Sequence, residues 1–184
     1  MTTKGEQTKQ KILKVAMELF SKKSFTSVTI RDVAKAAGVS PSLIYKYFED
    51  QERLYFEAMQ VASEELIIYL SDSLTLDSFV QNYIDYMFKT EVLYEMMAYF
   101  MLEASRPHAK FPIMSEISSV MNLLEKKTPL PNAKQETQLL FSTLNGLLIT
   151  YKNLPNYAPN EALAHIQDLA QHYINRLKIN FDSE

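Results

Sequence analysis

The chain has 184 residues, 47% of them hydrophobic and 22% charged, a composition that supports a sizeable core and excludes a disordered chain. It has no cysteine and only three glycines, which excludes a disulfide framework and thiolate chemistry and argues against Gly-rich phosphate loops and many-turned β architectures. Its formal net charge of −3 is unevenly placed: residues 1–50 hold nine Lys/Arg against five acids, a net of +4, and the remainder holds ten against seventeen, a net of −7. A basic first quarter on an acidic body is the electrostatic footprint of a nucleic-acid-binding head.

The N-terminus, MTTKGEQTKQK, is polar and lacks an apolar signal core, and no stretch approaches the roughly 18 apolar residues of a membrane span. A cytoplasmic protein is expected. A first helix is expected from about Thr8 to Lys23, because Ile12, Ala16, Leu19 and Phe20 recur at helical spacing with lysines opposite. SFTSVT connects onward, with Phe25 and Val28 expected to plug the small core.

Residues 29–48, TIRDVAKAAGVSPSLIYKYF, read as two short helices and a tight turn. Thr29 caps the first helix and Asp32 stands at the capping-box position. Ile30, Val33, Ala34 and Ala37 mark its apolar face. Gly38 suits the left-handed residue that ends it, and Ser40-Pro41 restarts a helix with an N-cap followed by proline at the first helical position. The second helix turns Ile44 and Phe48 to the core and offers Ser42, Leu43, Tyr45, Lys46 and Tyr47 outward. Helices of this length around a glycine turn form either a helix-turn-helix or an ordinary αα-hairpin. The exposed hydroxyls, lysine and tyrosines favour the first, whose second helix lies in the DNA major groove.

Asp50 is expected to cap a long helix from Gln51 to about Leu70 or Asp72. Further helices are expected over Leu76–Phe88, Glu91 to about Ala104, near Met114–Lys126, from an Asn132 cap to about Asn153, and from Asn160 to about Ile179. Arg106-Pro-His, Thr128-Pro-Leu-Pro and the loop 154–159 are the breaks. The fold class is therefore all-α, with about nine helices and no strand alternation.

A first helix ending in LeuPhe, then TIRDVAKAAGVS, then LIYKYF and an acidic linker to a long helix resembles the TetR family of transcriptional regulators over about residues 8–60. The resemblance implies a DNA-binding domain over 1–50, joined by the connecting helix 51–72, and a ligand-binding and dimerisation domain over 51–184. It also implies a homodimeric, one-component repressor that binds a palindromic double-stranded operator and is released by a small-molecule effector. On the head, the resemblance assigns phosphate or base contacts to Thr29, Ser40, Tyr45 and Tyr47, and places Ser42, Leu43 and Lys46 toward the groove. Gln51 stands where the family usually has a phosphate-reaching lysine, Ser42 where it often has glycine, and Tyr47 where it often has histidine.

In the body, the Tyr/Met/Phe-rich segments at 83–88 and 94–101 are either helical core or a mostly apolar pocket, with Met87, Met97, Met101 and Glu103 as candidate lining. By resemblance the last two helices form a four-helix dimer interface, with Leu140, Leu144, Leu147 and Leu148 along its seam and Gly146 allowing close approach. His165 and His172 share one helix face and are expected at the surface or interface, since further metal ligands are wanting. No metal or cofactor is expected. With no Cys, scattered His and no GxSxG or HExxH, an enzyme is not expected. A helical adaptor whose head binds protein is the alternative reading.

Overall fold

A computed structural model describes residues 3–23, 27–104, 114–128 and 132–181, with the side chains at 99–104, 114–115 and 179–181 outside the description. Among the described residues there are nine α-helices and no strand: α1 Lys4–Phe20, α2 Ile30–Ala37, α3 Pro41–Tyr47, α4 Gln51–Ser71, α5 Leu76–Lys89, α6 Glu91–Ala104, α7 Met114–Glu125, α8 Ala133–Tyr151 and α9 Pro159–Phe181. None is long and apolar enough to cross a membrane.

The helix count stands, but several ends move. The first helix begins at Lys4 rather than near Thr8, because Thr3 and Glu6 close a capping box that satisfies the orphan N–H groups of its first turn. It stops at Phe20 rather than Lys23. The expected Asn132 cap makes no side-chain hydrogen bond, whereas Thr75, not foreseen as a cap, closes a box with Ser78 at the start of α5. Val28 is buried as expected; Phe25 lies outside the described residues.

The chain divides into two compact units, Met1–Glu64 with Glu91–Met114, and Glu65–Thr90 with Ser115–Glu184. In the first unit α6 packs on α1. There α1 also packs on α2, and α2 on α3. Its buried side chains include Ile12, Ala16 and Phe20 of α1, Val33 and Ala37 of α2, Ile44 of α3, and Leu54, Ala58 and Met59 of α4. The Tyr55 ring meets Phe20 edge-on at 4.9 Å, and its hydroxyl donates to the Met96 carbonyl of α6 at 3.1 Å, so one aromatic side chain ties three helices.

In the second unit α5, α8 and α9 pack on one another. The buried stripe of α9 repeats every fourth residue, Ala162, Ile166, Ala170 and Ile174, and α5 answers with Phe79, Val80, Tyr83 and Ile84. Outside that stripe, Asp77 accepts from Lys178 at 2.6 Å and Gln171 at 2.9 Å, and Asp85 accepts from Gln167 at 2.7 Å. Within the apolar core the Tyr83 hydroxyl donates to Asn145 Oδ1 at 2.7 Å, and Asn145 Nδ2 donates to the Phe141 carbonyl. Burial pushes the Tyr83 phenol far above its ordinary range, with the Asn145 hydrogen bond only partly opposing it.

Candidate nucleic-acid interface

The head is built from two capped helices and a turn that each residue type serves locally. Thr29 Oγ1 accepts from the Asp32 N–H at 3.2 Å, and Asp32 Oδ2 accepts from both the Thr29 N–H, at 2.9 Å, and its hydroxyl, at 2.6 Å. Those hydrogen bonds, the hydroxyl's first, hold the Asp32 carboxyl below its usual range. At the other end Gly38 takes φ 64°, and Val39 N–H donates back to the Ala34 carbonyl at 3.0 Å, a Schellman closure that any Cβ would strain. Ser40 then caps α3 through the Leu43 N–H at 3.2 Å, with Pro41 at the first helical position.

On a seven-residue helix turning 100° per residue, Ile44 and the following Phe48 lie on one side, fully buried. Ser42 and Lys46 lie opposite them, with Leu43 beside, and Tyr45 and Tyr47 flank the face on either edge. Ser42, Tyr45 and Lys46 are exposed, Tyr45 by 56%; Leu43 and Tyr47 are half-buried. An exposed tyrosine presents an apolar ring and a hydroxyl that suit contact with a partner.

Two expected contacts are already engaged. The Thr29 hydroxyl donates to Asp32, and the Ser40 hydroxyl is shared between the Leu43 N–H and the Ser42 hydroxyl at 2.9 Å. Both residues are exposed, yet their first task is capping. Gln51 is half-buried at the start of α4, and Asp50 Oδ1 caps that helix through the Arg53 N–H at 2.7 Å.

The sequence reading missed what braces α3 from behind. A Cβ on Gly5 of α1 would lie 3.6 Å from the Tyr47 hydroxyl. One turn later Lys9 Nζ sits 5.5 Å from the centre of the Phe48 ring and 2.7 Å from Glu57 of α4. Glu57 also holds Arg53 at 3.0 Å. Only the Thr3-x-x-Glu6 pattern that starts α1 so early was available as a signal; the Lys9–Glu57 pair spans 48 positions and leaves none.

The body residues fare differently. Leu140, Leu144 and Leu148 are fully buried within the single chain, so they are core of the second unit and have no surface to offer a seam. The exposed side of α8 instead carries Leu139, Ser142, Gly146, Ile149 and Thr150, one register away, with Leu147 half-buried at its edge. A Cβ on Gly146 would meet nothing within 4 Å, so no neighbour in the chain demands glycine there. His165 is half-buried, stacked on Tyr157 at 5.3 Å and edge-on to Tyr151 at 4.9 Å, while His172 is exposed.

Met87 is buried in the second unit and Met97 half-buried in the first, so no one unit gathers the expected lining; the side chains of Met101 and Glu103 lie outside the described residues. A cleft of about 720 Å³ opens in the first unit, but Glu18, Lys22, Lys23, Glu91 and Glu95 line most of it, unlike an apolar pocket. Among the described residues no three His, Cys, Asp or Glu side chains gather in a metal-binding group.

Residues 12–58, from α1 through the start of α4, match the sequence family of bacterial regulatory proteins, tetR family. This head is thus similar to that of the TetR family. The HTH-type transcriptional regulator AcrR of Shigella flexneri is 36% identical over 62 residues, 34% of this chain and 29% of that protein. HbdR of Aromatoleum sp. (strain CIB), another HTH-type transcriptional regulator, is 37% identical over 51 residues, 28% of this chain and 22% of its own length. The chain thus spans under a third of the length of these curated relatives. Across the fold, a TetR-family transcriptional regulator from Streptomyces coelicolor superposes with a TM-score of 0.73 over 100% of this chain and 85% of its own, at 19% identity. A putative TetR-family regulator from Mesorhizobium loti reaches 0.72 over 95% and 98%, at 15% identity. At such identities the likeness concerns the fold.

Proposed function

We propose that the chain is a DNA-binding transcriptional regulator, with residues 1–50 and the start of α4 as the reader and the remainder as the effector-binding and dimerising part. The observation that carries the reading is the outward face of α3. Ser42, Leu43, Tyr45 and Lys46 project from a helix whose ends are capped and whose other face is locked by Ile44 and Phe48, on the basic quarter of the chain. Such a helix enters the major groove with its entropy cost already met by folding. Lys46 donates to guanine or phosphate, Leu43 meets a thymine methyl, and the tyrosine and serine hydroxyls position the backbone. Thr29, Ser40 and Gln51 complete the phosphate contacts, Thr29 only when its hydroxyl turns from Asp32.

The partner in assembly is a second copy, so that two heads read half-sites about 34–36 Å apart in a palindromic operator. The exposed α8 stripe supports this: glycine inside a helix costs about 1 kcal/mol relative to alanine, and Gly146 stands with open space between Leu139 and Ile149. A small, mostly apolar effector that prefers a differently spaced dimer releases the operator, making the protein a repressor.

The test is binding of the purified protein to its own upstream DNA across a salt series. Nanomolar binding to a palindrome is expected, with log K falling linearly in log[salt]. Tyr45→Ala should weaken it at every salt concentration, and Lys46→Ala should lower the slope by about 0.9 if its partner is a phosphate. Weak binding that ignores sequence and survives both substitutions refutes the reading in favour of a protein-binding adaptor.

A further inference from the structure

Two cations, Lys9 of α1 and Arg53 of α4, are both tied to one carboxylate. Gly5 and Lys9, one turn apart on α1, run along the C-terminal end of α3, the first against Tyr47 and the second over the Phe48 ring. Arg53 lies two residues beyond Gln51 on α4, with its side chain 55% exposed. Glu57, 16% exposed, takes Lys9 Nζ on Oε2 at 2.7 Å and Arg53 Nε on Oε1 at 3.0 Å. Each oxygen is thus committed to a different helix, and the carboxylate lies deep enough for its attraction to be less screened than that of a surface pair.

We propose that Glu57 is an internal counter-charge that withholds Lys9 and Arg53 from DNA phosphates, and so limits the sequence-independent electrostatic part of binding. The inference rests on the DNA-binding reading above. A phosphate is the natural competitor for both cations, since arginine and lysine bind it as they bind carboxylate. With the pairs intact, affinity depends more on the α3 contacts that read bases; with Glu57 neutral, two further phosphates are within reach. Glu57 touches no DNA in this account and acts through its partners as a positioning residue.

The experiment measures affinity by fluorescence anisotropy between 50 and 200 mM salt for wild type and Glu57→Gln. The two probes are the protein's own upstream DNA and a scrambled duplex of equal length. Each phosphate gained steepens the slope by about 0.9, which over this fourfold salt range changes the affinity ratio about 3.5-fold, or about 12-fold for two. Glu57→Gln is expected to bind the scrambled duplex more tightly and with a steeper slope. Arg53→Gln is expected to leave the slope unchanged in the wild-type background and to remove about 0.9 from it in the Glu57→Gln background, with Lys9→Gln behaving alike. Thermal melts separate folding from binding, because a purely structural brace lowers the melting temperature without moving the slope. An unchanged or shallower slope in Glu57→Gln overturns the proposal while wild-type binding keeps the DNA-binding reading intact. Wild type that binds neither duplex at 50 mM salt overturns both.

Discussion

The two sides of α8 make opposite predictions for neighbouring leucines. Leu144 has no exposed surface, and Leu139, five positions earlier, is 56% exposed. Leu144→Ala removes a fully packed side chain and leaves a cavity, which costs about 2–5 kcal/mol of folding stability. Leu139→Ser removes little from the single chain, about 0.5 kcal/mol or less. At the proposed interface the order reverses. A fully buried Leu or Ile is worth about 1.5–3 kcal/mol. Leu139 is 56% exposed and Ile149 44%, so roughly half of that value is left for a partner to cover, about 0.8–1.5 kcal/mol each. Two such residues from each copy amount to roughly 3–6 kcal/mol, an upper estimate, and about two to four orders of magnitude in dimer Kd. Sedimentation velocity over a dilution series, beside urea denaturation, reads both quantities. Leu139→Ser/Ile149→Ser should fall apart at concentrations where wild type is dimeric while keeping its fold; Leu144→Ala should lose stability. A double variant that dimerises as tightly as wild type would refute the assignment of this face.

Two further expectations concern the second unit. Among the described residues the buried Thr137 hydroxyl has no hydrogen-bond partner, so the nearly isosteric Thr137→Val relieves a desolvated polar group and should stabilise the chain by about 1 kcal/mol in urea; a loss of that size would mean that the hydroxyl is satisfied in solution. Asp77 is held below its usual range, first by the hydrogen bond from Lys178 and then by that from Gln171. Its contribution to stability is therefore fully present above the unfolded-state pKa of roughly 4 and is lost as pH falls through the lower folded value. With the side chain 38% exposed, the effect is small, at most about 1 kcal/mol. Asp77→Asn should flatten the drop in urea midpoint between pH 5 and pH 3, and an undiminished drop would place its cause elsewhere.

What was legible in the sequence shares one physical property: it acts over four or five residues. The Thr29-x-x-Asp32 box, the left-handed Gly38, the Ser40-Pro41 start and the buried Ile44 and Phe48 are satisfied by bonds within the motif itself. Residue order alone therefore determined the head and the outward face of α3. Thr3-x-x-Glu6 was equally local and equally readable, and overlooking it misplaced the start of α1. Tertiary structure decided the rest. Leu139, Leu140, Leu144, Leu147, Leu148 and Ile149 surround α8 on most sides, so periodicity leaves its register open, and only packing against α5 and α9 selects Leu140, Leu144 and Leu148 for the interior. Glu57 likewise acquires its role only when folding brings Lys9, 48 residues away, to its side. A charge pair at that separation depends on the chain closing a long loop, which no local pattern announces.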